Sequence, residues 1–171
     1  MKELEHYIRD IQDFPKEGIS FKDIATLLQD PKGIDLCLEN LMNLIEDEKI
    51  DKVVGIESRG FFFATLLAQK LNAGFIPVRK PGKLPYKTIS QSYDLEYGTD
   101  TLEIHIDAIK KGERVLIHDD VLATGGTAEA VCKLVESLGG EIVQVNFIMI
   151  LDILNGKDKL NGYSVKSALN F

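Results

Sequence analysis

Four apolar runs constrain what this chain can fold into: "DKVVGIE", "FIPVRK", "ERVLIHD" and "EIVQVNFIMILDI". They show little alternation of apolar and polar residues, so strands built from them are covered on both faces. Segments of helical length follow two of them: "SRGFFFATLLAQKLNAG", closing at Gly74, and "TAEAVCKLVESLGG", ending in Gly139-Gly140. Apolar strands alternating with such helices make βαβ units, hence an α/β chain with a mostly parallel sheet. Pro77, which has no amide to donate, fits poorly inside a strand.

The remaining segments read differently. Leu4, Ile8 and Ile11 recur at helical spacing and predict a helix over residues 2–12. "DFPKEGISFKDIATLL", broken by Pro15 and Gly18, reads as an extended surface loop. Asp30-Pro31 is an N-cap followed by a first-turn proline, and Ile34, Leu38, Leu41 and Ile45 carry a helix to about Glu48. "ISQSYDLEYGTDTLEIHIDAI" alternates, with Leu102, Ile104 and Ile106 on one side and Glu103, His105 and Asp107 on the other. That pattern predicts a strand pair or flap turning at "YGTD". "YSVKSAL" can add an edge strand. With 171 residues and no repeat or linker, the expectation is one domain, residues 1–171.

A net charge of −7 without a Lys/Arg block excludes nucleic acid as the main partner, although a local basic pocket or a metal ion could still admit a polyanion. "MKELEHYIRDIQDF" lacks the apolar centre of a signal peptide, and no run approaches the ~20 residues that span a bilayer. A cytoplasmic protein that does not engage membranes is expected. Cys37 and Cys132 sit in apolar helical patterns without CxxC or metal-knuckle spacing, as small buried hydrophobes do.

The parallel sheet brings three strand-end loops together, because ligands of such sheets bind beyond the carboxyl ends of the strands. In "VLIHDDVLATGGTA", Thr124-Gly125-Gly126-Thr127 joins a strand to a helix, offering amides and hydroxyls to an anion at a positive helix end. Asp119 and Asp120 precede it, where carboxylates accept sugar hydroxyls or hold waters around Mg²⁺. A sugar with free hydroxyls beside a phosphate satisfies acids and cradle together, as ribose 5-phosphate does. "GIESRGF" adds Glu57, Ser58, Arg59 and Gly60, and "VRKPGKLP" gathers Arg79, Lys80 and Lys83. The implied ligand carries a second anionic group, a diphosphate. Walker A and GxGxxG patterns are absent.

"VLIHDDVLATGGT" resembles the phosphoribosyl-diphosphate signature of the type I phosphoribosyltransferases. "DFPKEGISFKDIATLL", "GIESRGFFFA", "VRKPGKLP" and "SYDLEYGTDTLEIHIDAI" extend the resemblance, in order and spacing, to the adenine-using branch of that family. It implies the type I phosphoribosyltransferase fold: a central mostly parallel sheet flanked by helices, with a flexible hood and an N-terminal base-binding segment. It also implies purine salvage, in which adenine and phosphoribosyl diphosphate give AMP and diphosphate with Mg²⁺, and a homodimer. Ala123, Thr124, Gly125, Gly126 and Thr127 would bind the 5′-phosphate, and Asp119 and Asp120 the ribose hydroxyls. Ser58, Arg59, Lys80 and Lys83 would grip the diphosphate, with Arg59 also catalytic. Phe21 would stack on adenine while the backbone of Ser20 and Lys22 reads its edge. Glu96 would handle a purine proton and Tyr97 help close the hood. No direct metal ligand is implied; Mg²⁺ would be held mainly by substrate and waters near Asp119 and Asp120.

Two departures stand out: Lys22 replaces a common arginine, and His118 an aliphatic residue. His118 reads as a packed strand residue, and His6 and His105 as surface residues. Two other functions remain open at this level: an enzyme for a 6-oxopurine or another acceptor, and a non-catalytic phosphoribosyl-diphosphate sensor. The sensor would need a basic nucleic-acid surface that the charge does not supply.

Overall fold

The computed structural model describes residues 2–46, 49–94 and 98–171. Helix α1 (Lys2–Glu5) is a single turn, and β1 (Arg9–Gln12) then pairs antiparallel with β2 (Ser20–Asp23), Ile11 opposite Phe21. The helix expected over 2–12 is thus one helical turn followed by a strand, and the expected surface loop contains that strand's partner. Cross-strand ion pairs, to which helical periodicity is blind, tie this ribbon: Arg9 to Asp23 at 3.1 Å and Lys22 to Asp10 at 2.5 Å. After α2 (Ala25–Gln29), the Asp30 carboxylate accepts from the Lys32 amide at 2.9 Å and opens α3 (Pro31–Asn43). This helix stops short of the expected Glu48, which lies outside the described residues. Gln144 reaches across to donate to the Leu44 carbonyl at 2.8 Å, satisfying it from outside the helix.

The chain continues through β3 (Lys52–Ile56), α4 (Gly60–Lys70) and β4 (Gly74–Val78). Gly74 opens β4 rather than closing α4; the turn is made by Asn72 at φ 51°. Next come β5 (Thr88–Asp94), β6 (Thr99–His105), β7 (Arg114–Leu122), α5 (Gly126–Ser137) and β8 (Glu141–Ile150). Two 3-10 turns, Asp152–Leu154 and Gly156–Leu160, lead to β9 (Val165–Asn170).

Five strands form one parallel sheet in the order β4-β3-β7-β8-β9. Pro77 is accommodated because β4 is an edge strand of that sheet, paired along its length to β3 alone. Successive residues feed opposite faces. Val54, Val115, Ile117 and Phe147 pack with α5, while Val53, Leu116 and Ile148 pack with α3 and α4. Residues covered on both sides explain why these strands read as continuous apolar runs. The expected strand pair is present as antiparallel β5 and β6, with Leu102 and Ile104 buried against the α5 face. Ile106 departs from the expected alternation: it is exposed because the strand ends at His105.

The direction of winding reverses between β3 and β7. From β3 the chain crosses to β4 on one side, and from β7 to β8 on the other. Helices α4 and α5 consequently leave on opposite faces, and a crevice opens at the carboxyl ends of the two strands. Among the described residues, no helix is long and apolar enough to cross a membrane.

Candidate active site

That crevice is a cavity of about 540 Å³. Its wall takes Ser20, Phe21 and Lys22 from β2, Ser58 and Arg59 from the loop after β3, and Lys80 from the loop after β4. Asp119, Asp120 and the turn through Ala123, Thr124, Gly125 and Thr127 complete the polar part. Leu102, Phe147 and Leu151 supply apolar wall. Two expected residues lie off this wall. Lys83 turns to Glu57, and Gly126 borders a second cavity of about 190 Å³ with Tyr93 and Lys159. Glu96 and Tyr97 fall outside the described residues.

The strand-to-helix turn has the form an anion cradle needs. Gly125 adopts φ 83° in the left-handed region, which favours glycine, and Glu129 makes the first helical bond back to it at 2.9 Å. The amides of Gly126, Thr127 and Ala128 therefore have no acceptor within α5. The turn is locked from behind by the second 3-10 turn. A Cβ on Gly125 would lie 2.3 Å from the Gly156 carbonyl oxygen, and one on Gly156 2.1 Å from that of Ala123.

Asp119 and Asp120 share the end of β7, the Asp119 carboxylate accepting from the Asp120 amide at 2.9 Å. Burial, joined by the Asp120 charge, holds the Asp119 carboxyl well above the ordinary aspartate range. Burial likewise raises Asp120, against the pull of Arg59, whose Nε lies 2.8 Å from its Oδ2. Helix α4 can approach this closely because residue 60 is glycine: a Cβ there would lie 2.8 Å from an Asp119 carboxylate oxygen. Arg59 also lies over the Phe21 ring, 5.4 Å from its centroid, and Phe14 meets that ring edge-on at 5.3 Å. Lys22 is ion-paired to Asp10 and lies 4.2 Å from the Phe171 ring centroid.

Glu57 is an organising residue to which the sequence reading assigned no role. Its nearly buried carboxylate accepts from the Lys80 amide at 2.8 Å and the Lys83 ammonium at 2.5 Å, with Arg79 at 3.4 Å. Burial pushes this carboxyl up, but those donors outweigh it and hold it below the ordinary glutamate range. The available signal was a carboxylate ending an apolar strand in a chain whose densest basic patch had to sit at the same sheet edge. Asp100 was likewise unassigned: it is ion-paired with Lys80 and accepts from Tyr93 Oη at 3.2 Å.

His118 behaves as a packing group. His118 is fully buried, 2.7 Å from Asn146 Oδ1 through Nδ1, and burial lowers its pKa to about 4. His105 is half-buried, edge-on to Tyr86, and His6 is exposed. Cys37 and Cys132 are buried thiols.

The profile of the phosphoribosyl transferase domain matches residues 23–168. The adenine phosphoribosyltransferase of Christiangramia forsetii is 65% identical over 169 residues, covering 99% of each chain. That of Flavobacterium johnsoniae is 68% identical over 168 residues, covering 98% of this chain and 99% of the relative. Among solved structures, adenine phosphoribosyltransferase from Thermoanaerobacter pseudethanolicus has a TM-score of 0.96 at 51% identity, covering 99% of both chains. The Saccharomyces cerevisiae enzyme, solved with adenine and an imino-altritol bisphosphate, has a TM-score of 0.93 at 41% identity, covering 98% of this chain and 97% of that one. The crevice at the strand reversal and near-complete identity-bearing coverage agree, and the chain belongs to the adenine phosphoribosyltransferase family.

Proposed function

We infer that this chain transfers the 5-phosphoribosyl group from phosphoribosyl diphosphate to adenine, giving AMP and diphosphate. The observation that carries the reading is the single cavity gathering an aromatic base platform, paired acids, an amide cradle and a basic loop. Its lining suits a base, a ribose and two anionic groups.

Displacement at an anomeric carbon passes through an oxocarbenium-like state. Asp119 and Asp120 hold the ribose hydroxyls, and the negative charge the pair shares favours the cationic sugar. The amides of the Gly125–Ala128 turn take the 5′-phosphate. Ser58, Arg59, Lys80 and Lys83 meet the charge that develops on the departing diphosphate, with Glu57 aligning the two lysines. Phe21 stacks on the adenine, whose edge is read by the backbone of Ser20 and Lys22. Glu96 takes the purine proton and Tyr97 serves the exclusion of water, both residues lying outside those described.

Mg²⁺ fits this donor set. Two carboxylates beside a phosphate-binding cavity suit a hard cation that completes its shell with substrate oxygens and waters. The described residues contain no cluster of three or more potential ligands, so the protein alone does not build a cage. Bound there, Mg²⁺ would neutralise charge on the diphosphate. Location in the cytoplasm and pairing into a homodimer accompany the reading, the latter supported by half-exposed Phe62 on the apolar α4.

Asp120→Asn tests the sugar site. The loss of a charged hydrogen-bonding group predicts a fall in kcat/KM for phosphoribosyl diphosphate of roughly ten- to a hundredfold with the fold retained. Wild-type kcat/KM would remove Asp120 from the site.

A further inference from the structure

Every cation proposed to meet the diphosphate already has a carboxylate partner. Arg59 is paired with Asp120, Lys83 with Glu57 and Lys80 with Asp100. A polyanion entering this cavity must exchange partners, and the three pairs differ in how readily they can. Glu57 also holds the Lys80 amide, so it fixes the loop itself. Asp120 is buried at the ribose position. Asp100 meets Lys80 through the ammonium alone and not through its backbone, and both side chains are partly solvated, at 26% and 40% exposure. Such a pair is weakly held and easily exchanged.

Asp100 is also equipped to be released. Its Oδ2 accepts from Tyr93 Oη at 3.2 Å and its Oδ1 from the Thr101 amide at 2.8 Å, so the carboxylate stays hydrogen-bonded when Lys80 leaves. Tyr93 and Asp100 face each other across the β5–β6 ribbon. The Tyr93 ring lies 3.3 Å from where a Cβ of Gly126 would stand, at the start of the phosphate cradle. One rung of the ribbon therefore lines the cavity through Tyr93 and reaches Lys80 through Asp100.

We propose that Asp100 is a place-holding carboxylate: it occupies Lys80 until the diphosphate takes that ammonium, and thereby sets the affinity of the diphosphate end. The proposal rests on the transfer reading above. Because the Lys80 backbone is positioned by Glu57, removing the Asp100 charge frees Lys80 without displacing it. Binding therefore becomes tighter, the opposite of what loss of a positioning contact produces.

The test is titration calorimetry with phosphoribosyl diphosphate and Mg²⁺, without adenine, on wild type, Asp100→Asn, Lys80→Met and the double variant. Asparagine keeps an acceptor for Tyr93. The expected result is about three- to fivefold tighter binding in Asp100→Asn, the scale of a partly exposed ion pair, and no gain when Lys80 is absent. Unchanged or weaker binding, a gain that persists without Lys80, or a matching change in the KM for adenine would overturn the proposal. AMP formation by wild type is read separately. Its absence would refute the transfer reading, whereas a working enzyme without the calorimetric contrast would refute the place-holder alone.

Discussion

At the scale of single residues, Glu57 organises the basic side of the cavity. One carboxylate fixes the Lys80 amide and gathers Lys83 and Arg79. Glu57→Gln should raise the KM for phosphoribosyl diphosphate and destabilise the protein by about 2 kcal/mol at neutral pH. The pH dependence has a definite sign. The folded carboxyl lies below its ordinary value, so its contribution is present above that value and is lost as pH falls through the depressed one. Wild-type and variant unfolding curves, measured by urea titration at stepped pH, should converge in acid. A gap that widens in acid would contradict this electrostatic account. Glu57 was hard to assign from sequence because its partners lie more than twenty residues away, and a lone acid at a strand end is ordinarily solvated.

Among elements, the phosphate turn depends on a segment that motif reading never touched. Backbone atoms of Ala123 and Gly125 interlock with those of Gly156, leaving no room for a side chain on either glycine. Gly156→Ala should push the cradle amides out of line and raise the KM for phosphoribosyl diphosphate about tenfold or more. That for adenine should stay within about twofold, since misplacement of this kind acts locally. Equal changes in both constants would make Gly156 a general stability residue. The strand runs and α5 were legible because residues packed on both faces leave continuous apolar stretches. The β1–β2 ribbon was not: its strands are four residues long and tied by ion pairs, and Leu4, Ile8 and Ile11 mimic a helical stripe.

For the molecule as a whole, winding order explains why the sequence brought two of the expected loops together even where it misplaced elements. Glu57–Gly60 and Asp119–Thr127 end adjacent parallel strands where the direction of winding reverses, so reading two strands and their loops was enough to bring them together. The exposed side of α4, with Phe62 at its start, is the apolar face that the proposed homodimer would cover. Sedimentation velocity should give the mass of two chains across a tenfold dilution, and a concentration-independent monomer would remove the pairing. The central claim, adenine as acceptor at this cavity, is met most directly by diphosphate release from phosphoribosyl diphosphate with Mg²⁺, comparing adenine, hypoxanthine, guanine and no base. Release is expected with adenine alone, matched mole for mole by AMP; release with a 6-oxopurine instead, or with no base at all, would refute adenine as the acceptor.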